Sequence, residues 1–144
     1  MKEILAAIKA QLPGQVSSLV SIGIIPDENM LPEEMRLPFV GLKDGPIVGD
    51  DELDPLTWYW VEGFCYVEVA KPEASIMGDA ATGAVGILDF TDAVKAGFTA
   101  IGRLGISSIV EMRIDPSQPA SELGQLDEGF IQRKKIRVGY CKNI

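Results

Sequence analysis

The stretch Thr57-Trp-Tyr-Trp-Val-Glu-Gly-Phe-Cys-Tyr-Val-Glu-Val-Ala70 decides how the rest of the chain must fold. Aromatic and β-branched residues fill it, the types that suit a pleated, half-buried surface. It is too long and too free of breakers for anything but a long strand, with Gly63 as the place for a bend or bulge. Side chains alternate across a strand, so two faces follow. The odd face carries Thr57, Tyr59, Val61, Gly63, Cys65, Val67 and Val69, a core surface of moderate bulk. The even face carries Trp58, Trp60, Glu62, Phe64, Tyr66 and Glu68. Two carboxylates among those rings fit a dry single-chain core badly. Either helices of the same domain cover this face with the glutamates at the rim, or another protein does, because Trp and Tyr concentrate at protein contacts.

Outward from this strand, Lys2 to Leu12 has Ile4, Leu5, Ile8 and Leu12 on one helical stripe and ends at Pro13-Gly14. Gln15 to Ile25 reads as a strand. Pro26 to Leu37 is acidic and proline-punctuated, a loop with one helical turn after Pro32. Pro38 to Lys43 is a short strand, and Asp44 to Pro55 an exposed acidic connection. After the central strand, Gly78, Gly83 and Gly86 mark a loop rather than a helix, without the spacing of a phosphate-binding motif. A helix from about Phe90 to Leu104, capped by Asp89 or Thr91, puts Phe90, Val94, Phe98 and Ile101 on one face. Ser107 to Ile114 reads as a strand with Glu111 and Arg113 on a shared face, and Asp115 to Glu128 as a long loop. The chain closes on a strand from Phe130 to Lys142.

That last strand is the basic feature of an acidic chain. Arg133, Lys135 and Arg137 share a face at intervals of about 6.6 Å. They read as a patch for an anionic partner, or as a cross-strand match to Glu62 and Glu68, within the chain or across a subunit boundary. The overall field favours the match, because the formal net charge of the 144 residues is −8.

The same charge argues against a nucleic-acid-binding module. Apolar content of 47% and charged content of 24% are ordinary for a soluble globular domain. No apolar run reaches the ~20 residues that span a bilayer, and the start lacks a signal-peptide layout. Cys65 and Cys141 lack metal-ligand spacing; they are candidate strand neighbours, with a reduced cytosolic setting as the default. Histidine is absent, which removes the usual general base, metal ligand and nucleophile-activating partner. Asp50, Asp51, Glu52 and Asp54 offer oxygen ligands without the spacing of an EF-hand loop, and read as a solvated acidic loop. No catalytic, cofactor-binding or metal-binding residues are indicated. Residues 1–144 therefore read as a single α+β domain, a mostly antiparallel sheet packed against an N-terminal and a central helix, with long loops. The aromatic ribbon suits a subunit that completes its surface by assembling with copies of itself. Trp58, Trp60, Phe64, Tyr66, Arg133, Lys135 and Arg137 are the candidate interface residues.

In layout the chain resembles the tail-terminator, or tail-completion, proteins of long-tailed bacteriophages. The resemblance runs from the opening helix Met1 to Leu12, through a strand, a proline-rich acidic loop and the Leu37-Pro-Phe-Val40 strand start, to the β segment around Tyr59 to Val69. A helix such as Asp89 to Arg103 and a final strand such as Phe130 to Tyr140 complete it. At this level the small head–tail connector or neck proteins are similar too. The resemblance implies a non-enzymatic subunit without a cofactor. It further implies a ring, six subunits in the family, that caps the finished tail tube and joins it to the head or neck. Such a protein belongs to the virion and assembles in the host cytoplasm. DNA passes the channel without specific binding, which an acidic surface favours. By position, Asp44 to Asp54 and Asp115 to Glu128 are the loops expected at joints with neighbours. A reading from another class is a small enzyme or ligand-binding domain with its pocket under the Ser75–Gly86 loop. The absence of histidine and of catalytic motifs favours the structural subunit.

Overall fold

The computed structural model describes residues 1–49, 56–126 and 129–143. The long aromatic strand is β3, Leu56–Glu68. It pairs antiparallel with β2, Phe39–Gly49, on one side and with β6, Gly129–Asn143, on the other. A short edge strand, β1 (Ser21–Ile24), runs parallel to the start of β2. Beyond β6, β4 (Ile109–Ile114) and β5 (Glu122–Leu126) lie in line along its far edge, β4 on residues 138–142 and β5 on residues 129–133. The result is a six-stranded, mostly antiparallel sheet with helices on one face, an α+β fold.

The odd residues of β3 and the even residues of β6 share the helix-side face, since Val61 stands opposite Val138 and Gly63 opposite Ile136. Helix α1, Lys2–Gln11, lays Ile4, Leu5 and Ile8 on this face, and the 3-10 turn Leu12–Gly14 adds Leu12. Helix α3, Ile87–Ile101, contributes Ile87, Phe90, Val94 and Phe98. With Val61, Cys65, Val67, Val138 and Tyr140 they form the main core. A second, smaller core lies across the sheet, where Phe39, Phe64, Tyr66 and Ile131 are covered by Ile25, Leu31, Met35 and Leu37 of the segment around 25–37.

Several elements differ from the sequence expectations, each for a local reason. Gly63 is in register on both sides, so it is no bulge; a Cβ there would stand 3.1 Å from Ile136 Cγ1, and the glycine admits that close neighbour. The bulge lies instead in β2, between Asp44 and Ile47, at Gly45-Pro46. Residues 44–49, expected as a loop, therefore continue β2. The expected strand from Gln15 shrinks to β1, because Val16 turns inward to the main core. Pro72, at the first helical position, starts a short helix α2 (Pro72–Met77) where a loop was expected, and Gly78 at φ 79° ends it. Helix α3 begins at Ile87 with Gly86 as its N-cap, so Asp89 lies inside the first turn and Thr91 is buried in the helix. Gly86 is required sterically: a Cβ on it would come within 2.4 Å of Gly78 N and 2.5 Å of Ile76 O. Strand β5 occupies part of the expected 115–128 loop, as its alternation is hidden among polar residues.

The two cysteines are not neighbours. Cys65 stands opposite Lys134 and faces the helices, whereas Cys141 stands opposite Trp58 on the other face; both are buried thiols. Burial pushes the Cys65 thiol from its ordinary 9.0 up to about 12, partly offset by the Thr91 hydroxyl beside it. Burial also raises Tyr66 and Tyr140. The unfolded chain then releases the Cys65 proton near pH 9 while the folded chain holds it to about 12. Unfolding releases a proton in that window, so the contribution of this burial is fully present below pH 9 and is lost as pH rises toward 12, with both tyrosines adding in the same direction. Urea titrations at pH 8, 9.5 and 11 are expected to show a falling midpoint, and Cys65→Ala to reduce the fall. An equal fall in Cys65→Ala would refute the assignment.

Candidate interaction face and cavity

On the face opposite the helices, even residues of β3 meet odd residues of β6: Glu62 lies opposite Arg137, Phe64 opposite Lys135 and Tyr66 opposite Arg133. Two regions of different character result.

At the Phe64 end, the chain covers its own sheet. Phe64 is 4% exposed and Tyr66 0%, which removes both from the candidate interface. The cause is the proline-rich segment, whose Leu31, Met35 and Leu37 fold back over the rings. The Tyr66 hydroxyl donates to the Glu28 carbonyl at 2.8 Å, and the Phe39 ring lies 5.7 Å from that of Tyr66. Arg133 ties the same segment down, donating to Asn29 Oδ1 at 2.7 Å and pairing with Glu122 at 3.3 Å and Glu28 at 3.9 Å. The sequence signal for this cover was the set of apolar residues inside an otherwise acidic loop.

The basic row is matched within the chain, by Glu62 as expected and by three acids that were not. Lys135 pairs with Glu62 at 3.0 Å, as anticipated, and its ammonium lies 5.8 Å from the Phe64 ring centre. Arg137 pairs with Asp115 at 3.6 Å. Glu68, expected as a partner, stands opposite Ile131 instead. A chain-wide count of charges cannot show that Glu28, Asp115 and Glu122 arrive from loops and a neighbouring strand.

At the other end, Trp58 and Trp60 remain half-buried and form a short ladder. Their ring centres are 5.8 Å apart at 20°. The Arg113 guanidinium lies 5.1 Å from the Trp58 ring centre and that of Arg137 5.0 Å from Trp60, while Glu111 pairs with Arg113 at 3.2 Å. Gly139 makes the ladder possible: a Cβ on it would stand 2.9 Å from Trp60 Cζ3 and 3.0 Å from Trp58 Cε3. The indoles lie over bare backbone there. Val48, opposite Trp58, is 50% exposed, and Val110 in β4 is 45% exposed. Arg113 and Gly139 are the contributors that sequence reading missed. Neither shows a signal until the β3–β6–β4 register is known.

A separate cavity of about 380 Å³ lies beneath the loop that follows α2. Val67, Ala70, Ala74 and Val85 supply apolar lining. Its polar lining is Glu68, Lys71, Ser75 and Thr82. An antiparallel bridge between Asp79 and Ala84 closes the loop above it. The acidic cluster Asp50, Asp51, Glu52 and Asp54 falls outside the described residues. Among the described residues no group of three or more potential ligands is placed to hold a metal ion, and no helix is long and apolar enough to cross a membrane. No protein-family model matches the chain and no curated protein matches its sequence, so the reading of function rests on the aromatic ladder, the sheet edges and the cavity.

Proposed function

We propose that the chain is a structural virion subunit of a long-tailed bacteriophage, a ring-forming tail terminator that caps the tail tube and joins it to the head or neck. Its partners are copies of itself, the tail tube and the neck proteins, with DNA passing unbound through the ring. The order of helix, short strand, covering loop, long strands, central helix and final strand supports the resemblance.

The observation that carries the reading is the end of the sheet around the tryptophans. There β2 (from Lys43), β3, β6 and β4 lie side by side, and β1 reaches only to Leu42. Among the described residues, neither the Lys43–Gly49 edge nor the far edge of β4 has a strand beside it. Three antiparallel steps make β2 and β4 run in opposite directions. A head-to-tail copy therefore meets β4 with its own β2 antiparallel, a heterologous contact of the kind that closes into rings. The same step brings Val110 of one copy toward Val48 of the next and continues the aromatic face. Each edge carries a bulge, at Gly45-Pro46 and at Val110, which confines backbone pairing to a short run and leaves side chains the larger share.

Light scattering on the eluted protein tests this directly. The expected result is a closed oligomer, six subunits by the family resemblance, or a monomer that assembles on added tail tubes. Electron micrographs should then place it at the tube end rather than on the head vertex, where a connector or neck protein would sit. A monomer that stays monomeric at high concentration and ignores tail tubes would refute the proposal.

A further inference from the structure

We infer that the cavity under the 79–85 loop binds small apolar amines, with the alkyl body among its alanines and valines and the protonated amino group held by Glu68, Ser75 and Thr82. This inference is independent of the ring assembly. The volume, about 380 Å³, falls within the range of small-molecule sites. Val67, Ala70, Ala74 and Val85 give the ligand's body an apolar wall.

The polar lining then selects the head group by hydrogen-bond capacity. Ser75 is buried, 4% exposed, and its hydroxyl donates to the Pro72 carbonyl at 2.7 Å. Thr82 donates to the Asp79 carbonyl at 3.5 Å. A hydroxyl has one proton and two lone pairs, so Ser75 has spent its donor inside the protein and keeps only acceptors, while the exposed Thr82, with its longer contact, can accept as well. An ionised carboxylate is also acceptor-only, and among the described residues Glu68 has no ion-pair partner within 4.0 Å. Ser75 and Glu68 thus offer acceptors only, and Thr82 can serve as a third. Lys71 is the exception: exposed as Glu68 is, it brings a cation to the same lining and opposes a second one there. A carboxylate ligand would meet three acceptors and one exposed cation, and an alcohol would leave the Glu68 charge without a counter-charge.

The test uses n-hexylamine, with hexan-1-ol and hexanoate as controls of equal length, added to the whole protein at pH 7. The readout is the methyl resonances of Ala70, Ala74 and Ala84. Hexylamine is expected to give saturating shifts at those methyls, hexanoate none, and hexanol much weaker ones. Glu68→Gln should weaken hexylamine binding about threefold and Lys71→Met should tighten it by a similar factor, the size expected for exposed charges. Ala74→Leu should narrow the cavity and weaken binding. Glu68 and Lys71 are exposed, so their variants keep the test decisive even where Ala74→Leu folds poorly. Absence of saturation, equal binding of hexanol or hexanoate, or indifference to Glu68→Gln would overturn the inference.

Discussion

Replacing Phe98 by alanine is expected to lower the unfolding free energy by about 3–5 kcal/mol, the range for removing a fully buried aromatic ring. Phe98 is 0% exposed near the C-terminal end of α3, in one core with Phe90 and Val94 of the helix and Val61, Cys65 and Ile136 of the sheet. Its ring reaches Gly63, so helix, β3 and β6 meet at this point. Loss of the ring leaves a cavity that a sheet locked in thirteen-residue register with β6 cannot collapse to fill. A domain of ordinary stability, ~5–15 kcal/mol, would lose a large part of it. Urea unfolding followed by circular dichroism should show a lower midpoint at unchanged slope. Phe130→Ala, whose ring is 48% exposed, serves as the matched control and should shift the midpoint little. A loss below about 1 kcal/mol in Phe98→Ala would show that α3 does not organise the core in solution.

The double change Trp58→Ala with Trp60→Ala is expected to have the opposite signature: assembly lost, fold kept. Within the monomer the pair contributes ring stacking, about 0.5–1.5 kcal/mol, and two arginine–indole contacts of about 0.5–1 kcal/mol each. Both cores survive the change, because neither includes a tryptophan. In the proposed ring, by contrast, the same indoles form the aromatic centre of a contact, where truncation costs most. Light scattering should report monomers, and circular dichroism a native spectrum. A collapsed spectrum would return the indoles to the monomer fold; an unchanged oligomer would move the interface elsewhere. Gly139→Ala offers a subtler version, since its methyl group has no room beneath the two rings and must displace the ladder while deleting no contact atom.

How far the chain could be read without its structure depended on whether a residue's partner was near in sequence. The central strand, its two faces, α1 and the buried stripe of α3 were legible, because alternation and helical spacing are local signals. The α+β class followed from their order. The start of α3 was misplaced because Asp89 and Thr91 look like caps, while Gly86 takes that position under a steric constraint set by Ile76 and Gly78. A glycine inside a strand suggests a bend or bulge, which points to Gly63. Pairing puts it at Gly45-Pro46, where proline cannot continue the ladder. Strand β5 was missed because its residues alternate without apolar contrast, so that it exists by pairing with β6.

The aromatic face shows the division most sharply. Composition alone established that one side of the strand is rich in rings and carries carboxylates, and the strand period placed Trp58, Trp60, Phe64 and Tyr66 together on it. Which of those rings the chain keeps for itself was settled by long-range folding: the proline-rich segment returns over Phe64 and Tyr66, and leaves the two tryptophans half-buried against Gly139. The same holds for the charges. The run of Arg133, Lys135 and Arg137 is visible in a line of sequence, yet their counter-ions come from Glu28, Glu62, Asp115 and Glu122. The periodicity of a strand is a property of the backbone and can be read along the chain. Coverage of a face and the matching of a charge depend on atoms brought from tens of residues away, and exist only once the sheet has closed around its register.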